Sequence, residues 1–190
     1  MKVLFIGNSY TFFYDMPKLF EAECRGRGAE CDVDSVTAGG YTLEQFLSDG
    51  NEFGRRAKEL LRQKKYDYVV MQEQSVRPAS DPELFLDSLR RLMVFVRENG
   101  AKPVLYETWG RADHSGELTQ LGWDHDLMQT KLNESYAKGA AEHGAILVPA
   151  GERFHEAYRR GEPVFDPDGS HPSEYGSKLI ARVFADTLLK

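Results

Sequence analysis

Cysteine is scarce: only Cys24 and Cys31 occur in 190 residues, and they form no CxxC pair. That count argues against a disulfide framework or a thiolate metal site and leaves two buried, reduced thiols as the expectation. No apolar run approaches the length of a membrane span. No block of one charge sign occurs either: 24 basic and 30 acidic residues give a net charge of −6, which disfavours nucleic acid and anionic membrane as partners. The chain has no GxGxxG pattern, no P-loop lysine, no internal repeat and no low-complexity tract. The amino terminus offers one lysine and then a strand-like run, so no signal peptide is read and a cytoplasmic location is expected. A chain of 190 residues, 41% hydrophobic and 28% charged, is expected to fold as one domain over 1–190.

What is present starts with Val3-Leu4-Phe5-Ile6, an unbroken apolar run stopped at once by Gly7. Such a run suits a strand buried on both faces, as in a parallel sheet. A helical stripe follows over Met16 to Arg27, then a strand within Ala29 to Thr37 and a helix over Arg55 to Lys65. Asp67 to Met71 reads as a strand, Pro82 to Asn99 as a helix, and Pro103 to Tyr106 as a strand. After a loop from Glu107 to Gly116 come a long helix ending near His143, a strand over Ala145 to Val148, and helices over Glu152 to Arg160 and after Ser173. Thr42 and Gln45 have the spacing of a capping box. Strands alternating with helices predict an α/β fold, a five-stranded parallel sheet between helical layers, with 2-1-3-4-5 as the natural strand order.

In such sheets, ligands gather beyond the carboxyl ends of the strands, where Ser9 in Gly7-Asn8-Ser9 falls. Near the other terminus, Asp168-Gly169-Ser170-His171 puts an acid and an imidazole three residues apart in a tight turn. A serine, a histidine and an orienting carboxylate are the parts of a nucleophilic triad. The imidazole takes the hydroxyl proton, and the acid fixes the ring's tautomer. Asp166 is a rival for the orienting role.

These two ends resemble the SGNH/GDSL hydrolase family, and the resemblance covers nearly the whole chain. Gly7-Asn8-Ser9 stands where the family usually has Gly-Asp-Ser, Gly40 matches the second-block glycine, and Asp168-x-x-His171 matches the last block. The third block departs: Gln72-Glu73-Gln74 replaces Gly-x-Asn. The resemblance implies a flavodoxin-like three-layer fold. It also implies a serine hydrolase needing no cofactor or metal, with Ser9, Asp168 and His171 as its catalytic residues. Carried over, the oxyanion donors are the N–H groups of Ser9 and Gly40 and a glutamine amide. Gln74 takes the asparagine's place; Gln72, two residues earlier on the same side of an extended chain, is its rival.

Three aromatics, Tyr10, Tyr41 and Trp109, are candidate pocket walls. Asp113, His114, Asp124, His125 and Asp126 have metal-ligand chemistry but no HxxH-like spacing, and read as solvated charge. The expected activity is hydrolysis of a carboxylic ester through an acyl-Ser9 intermediate, on a small-molecule or glycan ester such as an acetylated carbohydrate. Lipase, thioesterase or acyltransferase activity uses the same parts. A ligand-binding module that has lost the chemistry is the alternative from another class.

Overall fold

The computed structural model describes residues 1–189. Five strands, β1 Lys2–Gly7, β2 Asp32–Thr37, β3 Tyr68–Met71, β4 Lys102–Tyr106 and β5 Ile146–Val148, form one parallel sheet in the order β2-β1-β3-β4-β5. β1 is therefore paired on both edges, and its side chains alternate between two packed layers. Leu4 and Ile6 join Val69, Met71 and Leu105 on one face, while Val3 and Phe5 join Val70, Val104 and Tyr106 on the other. Burial on both faces is why this strand is apolar throughout rather than at every second residue.

Helices cover each face. On the Leu4 side lie α3 Leu43–Phe46, α4 Glu52–Gln63, α6 Pro82–Asn99 and α8 His125–His143. On the Val3 side lie α2 Met16–Gly26, α9 Ala150–Arg159 and α10 Glu174–Leu188. The remaining helices are short: α1 Ser9–Phe12, α5 Arg77–Ser80 and α7 Gly116–Leu121. Several boundaries follow from caps. Thr42 and Gln45 form the expected capping box, and Ser173 accepts the Gly176 N–H at 3.0 Å to open α10. The basic helix expected from Arg55 begins three residues earlier because Asn51 caps it through the Gly54 N–H at 2.7 Å. Cys24 is buried, Cys31 is half-buried, and both are free thiols.

The stretch after Ser9 is more structured than the sequence indicates. Asn8 accepts the Tyr10 N–H at 3.1 Å and starts α1 immediately. A 3₁₀ turn, Phe13–Asp15, then holds Tyr14 and Asp15 at φ 50° and 52°, the left-handed region that side-chain-bearing residues rarely enter. Tyr14 is tied there by its hydroxyl, which donates to Asp166 Oδ1 at 3.0 Å. The strand order sets the carboxyl ends of β2, β1 and β3 side by side, and the segments leaving them form one rim.

Candidate active site

Ser9 opens α1 directly after β1. Its Oγ lies 2.8 Å from His171 Nε2, and His171 Nδ1 lies 2.5 Å from Asp168 Oδ2. A carboxylate accepts only, so Nδ1 carries the proton and the Nε2 lone pair faces the serine hydroxyl. The turn that aligns these groups is braced at several points. Asp168 Oδ1 accepts the N–H groups of Ser170 and His171, each at 2.9 Å, while the His171 carbonyl accepts the Asp166 N–H at 2.9 Å. Gly169 has a φ of +67°, a conformation that calls for glycine. Partial burial opposes ionisation of Asp168, but the His171 hydrogen bond and the two N–H donors outweigh it and hold the carboxyl below its ordinary value. The rival Asp166 faces Tyr14 instead of the imidazole.

A cavity of about 440 Å³ opens over these groups and is lined by Ser9, Tyr10, Gly40, Gln74, Arg111 and His171, among others. The N–H groups of Ser9 and Gly40 find no acceptor among the described residues. Gly40, at φ +70°, leaves β2 on the rim beside β1. The two glutamines after β3 differ sharply. Gln72 is buried and both ends of its amide are bonded within the protein. Its Oε1 accepts the Asn8 N–H at 2.8 Å and the Thr11 hydroxyl at 2.9 Å, and its Nε2 donates to the Glu73 carbonyl. Gln74 spends its Oε1 on the N–H groups of Val76 and Arg77 (2.9 and 3.0 Å). Its Nε2 makes only a 3.4 Å contact with Ser75 Oγ.

The aromatic walls need correction. Tyr10 lines the cavity, but Trp109 is 0% exposed: it stacks between Tyr10 and Phe154, with centroids at 4.5 and 4.2 Å, and its Nε1 donates to the Ser170 carbonyl. Large apolar area and one donor both favour that interior position, from which it supports Tyr10 and the turn. Tyr41 packs against Phe46 and Phe53 instead of lining the cavity. A second aromatic at the triad is Phe13, stacked on the His171 ring at 4.0 Å and 9°. Nothing in the local sequence marks it, because the contact depends on a turn 158 residues away. Asn8 was legible only as a variant of the family aspartate. Its Nδ2 donates to the Tyr41 carbonyl at 2.9 Å and so ties the first loop to the second.

In the acidic and imidazole cluster Asp113, His114, Asp124 and Asp126 are exposed, as the sequence suggests, and His125 is the exception. His125 is buried, with Nδ1 at 2.9 Å from the Arg111 carbonyl and Nε2 at 2.8 Å from Nδ1 of His155 on α9. Arg159 bridges Asp113 at 2.9 Å and Asp126 at 2.5 Å. His125, Asp126 and His155 offer metal-ligand atoms within 4.8 Å of one another, and the Arg159 guanidinium is bonded to Oδ1 of Asp126.

Neither a scan against protein-family models nor a search of curated proteins returns a match. Solved structures do. One described as "a putative SGNH hydrolase from Slackia heliotrinireducens" is 33% identical with a TM-score of 0.87, over 99% of this chain and 98% of that one. The chain belongs to the SGNH/GDSL hydrolase family. An acetyl xylan esterase shares the fold at 15% identity and a TM-score of 0.72, over 99% of this chain and all of the other. So does a variant of an acetyl-xylooligosaccharide esterase from Geobacillus, at 17% and 0.71, over 98% and 93%. Among the described residues, no helix is long and apolar enough to cross a membrane.

Proposed function

We propose that the protein is a serine ester hydrolase in which Ser9 is the nucleophile, His171 the general base and acid, and Asp168 the group that orients the imidazole. The observation that carries this reading is the unbroken chain Asp168 Oδ2–His171–Ser9 Oγ, at 2.5 and 2.8 Å, opening into a cavity. His171 Nε2 takes the Ser9 hydroxyl proton as Oγ attacks the ester carbonyl carbon. The resulting oxyanion is held by the N–H groups of Ser9 and Gly40 and by the Gln74 amide. The imidazolium returns the proton to the departing alkoxide, leaving acyl-Ser9. A water, deprotonated by the same nitrogen, then releases the carboxylic acid and restores Ser9.

For Gln74 over Gln72, the support is that Gln72 has both amide ends bonded within the protein, while Gln74 Nε2 is almost unengaged at the cavity wall. The substrate we favour is a small acyl group, such as acetyl, on a carbohydrate. The polar side chains in the lining, Gln74, Ser75 and Arg111 among them, and the two fold neighbours described as acetyl-xylan and acetyl-xylooligosaccharide esterases support it. Turnover of p-nitrophenyl acetate and of acetylated xylooligosaccharides by the wild type, lost in Ser9→Ala with unchanged melting, is the expected result. Binding of such esters without turnover would point instead to a ligand-binding module.

A further inference from the structure

Between the two glutamines stands Glu73, 0% exposed, with a carboxylate that reaches neither solvent nor the cavity lining. Its Oε1 accepts the Gln74 N–H at 2.6 Å and the Leu43 N–H at 3.1 Å, and its Oε2 is 3.3 Å from the same Leu43 nitrogen. Leu43 opens α3, three residues after Gly40. One carboxylate is thus bonded both to the segment carrying the Gly40 N–H and to the segment carrying the Gln74 amide. Those segments leave β2 and β3, which are not neighbours in the sheet: β1 runs between them. Pairing with β1 fixes the two strands as far as Ala38 and Gln72, and Gly40 and Gln74 lie beyond it.

No lysine or arginine is hydrogen-bonded to this carboxylate among the described residues. Arg77 of α5 and Glu44 of α3 act on it with opposite sign and pair with each other at 3.2 Å, and the Tyr136 hydroxyl of α8 is a further titratable neighbour. Burial pushes the carboxyl up to about 7, and the N–H groups of Gln74 and Leu43 pull the other way. A buried carboxylate without a counter-ion is a costly way to fill space, and an apolar side chain would pack there without that penalty. What it supplies is one oxygen that accepts both N–H groups and a second, 3.3 Å from the Leu43 nitrogen, where an amide would set an NH₂ against that donor.

We infer that Glu73 is a positioning residue for oxyanion stabilisation, clamping the Gly40 loop to the Gln74 segment so that donors from two separated strands converge on one oxygen. The inference rests on the serine hydrolase reading above. Donors of this kind act through their placement at the transition state more than in substrate binding, so loosening the clamp should lower kcat and spare KM.

The test is kcat and KM on p-nitrophenyl acetate for Glu73→Gln, Glu73→Ala, Gln74→Ala and the pairwise doubles, each checked for folding by thermal melting. Glu73→Ala should lose about 10²-fold in kcat and Glu73→Gln, which keeps one acceptor oxygen, about 10-fold, with KM changed less than about twofold. The losses should not multiply with Gln74→Ala, because the clamp has less to position once that donor is gone. If Glu73→Ala does not fold, Glu73→Gln and its double with Gln74→Ala decide the question. Undiminished kcat in the folded variants, a change confined to KM, or fully multiplicative losses would each overturn the inference while leaving the wild-type hydrolase intact. A wild type that neither turns over esters nor reacts at Ser9 would overturn the function itself, and the clamp with it.

Discussion

His171 and His125 are imidazoles with the same two-sided bonding plan and different partners. His171 has a carboxylate behind it and a serine hydroxyl in front, at the mouth of a cavity. His125 has a backbone carbonyl behind it, which fixes its proton on Nδ1. In front it has a second imidazole, His155, stacked at 5.0 Å and 8°. A carboxylate supports the imidazolium that forms when a hydroxyl proton is taken, whereas a carbonyl supports it far less. Burial holds His125 below its ordinary value, helped by His155 and Arg159 and only partly offset by the Arg111 carbonyl. The first arrangement can cycle a proton; the second holds a neutral ring in place. The partners decide the chemistry, and the ring does not.

The largest expected contrast is between their alanine variants. His171→Ala should lose about 10⁴-fold or more in kcat, as should Ser9→Ala, and the double variant should be hardly worse because the residues act as a unit. His125→Ala should keep most of its turnover and lose about 1–3 kcal/mol of stability, since it leaves the Arg111 carbonyl and the His155 N–H without their partner. Substantial activity in His171→Ala, or its loss in a folded His125→Ala, would break the comparison.

Next in size is the glutamine pair. Gln74→Ala should lower kcat by about 10²–10³-fold with little change in KM. Gln72→Ala should act on melting temperature first, because it strips partners from the buried Asn8 N–H and Thr11 hydroxyl. A large kcat loss in Gln72→Ala alone, with Gln74→Ala near wild type, would move the donor two residues back.

The smallest effect concerns pH and Glu107, in the same region as His125. Burial pushes its carboxyl from an ordinary 4.5 to about 7; the Glu152 N–H opposes the shift and the Glu152 charge adds to it. The folded chain therefore holds this proton more tightly than the unfolded chain. The contribution to stability is full below about 4.5 and lost as pH rises through about 7. Melting curves from pH 4.5 to 8 should show a shallower decline in Glu107→Gln than in wild type; identical slopes would remove Glu107 as a source of that dependence.

Much of this architecture was legible in the residues. Val3 to Ile6 read as a doubly buried strand, and the capping signals at Thr42 and Ser173 placed two helices closely. Asp168 and His171 were legible because their geometry is local, set by one glycine-containing turn. The rest depended on contacts across the chain. Gln72 and Gln74 share a residue type and a side of the strand end. What separates them is Asn8, 64 residues before Gln72, whose N–H claims the first amide. Trp109 looked like a wall because its loop lies on the rim. Its indole turns inward to the Ser170 carbonyl, which no periodicity records. Glu73 was hidden for the same reason: a glutamate at a strand end reads as a surface charge until the Leu43 N–H is found against it.

The most direct measurement of the central claim is the intact mass of the protein after reaction with a serine-directed fluorophosphonate, followed by peptide mapping. The account predicts a single adduct on Ser9, formed at an undiminished rate in His125→Ala and at a severely reduced rate in His171→Ala. No adduct on the folded wild type, an adduct on another residue, or equal labelling in His171→Ala would contradict it.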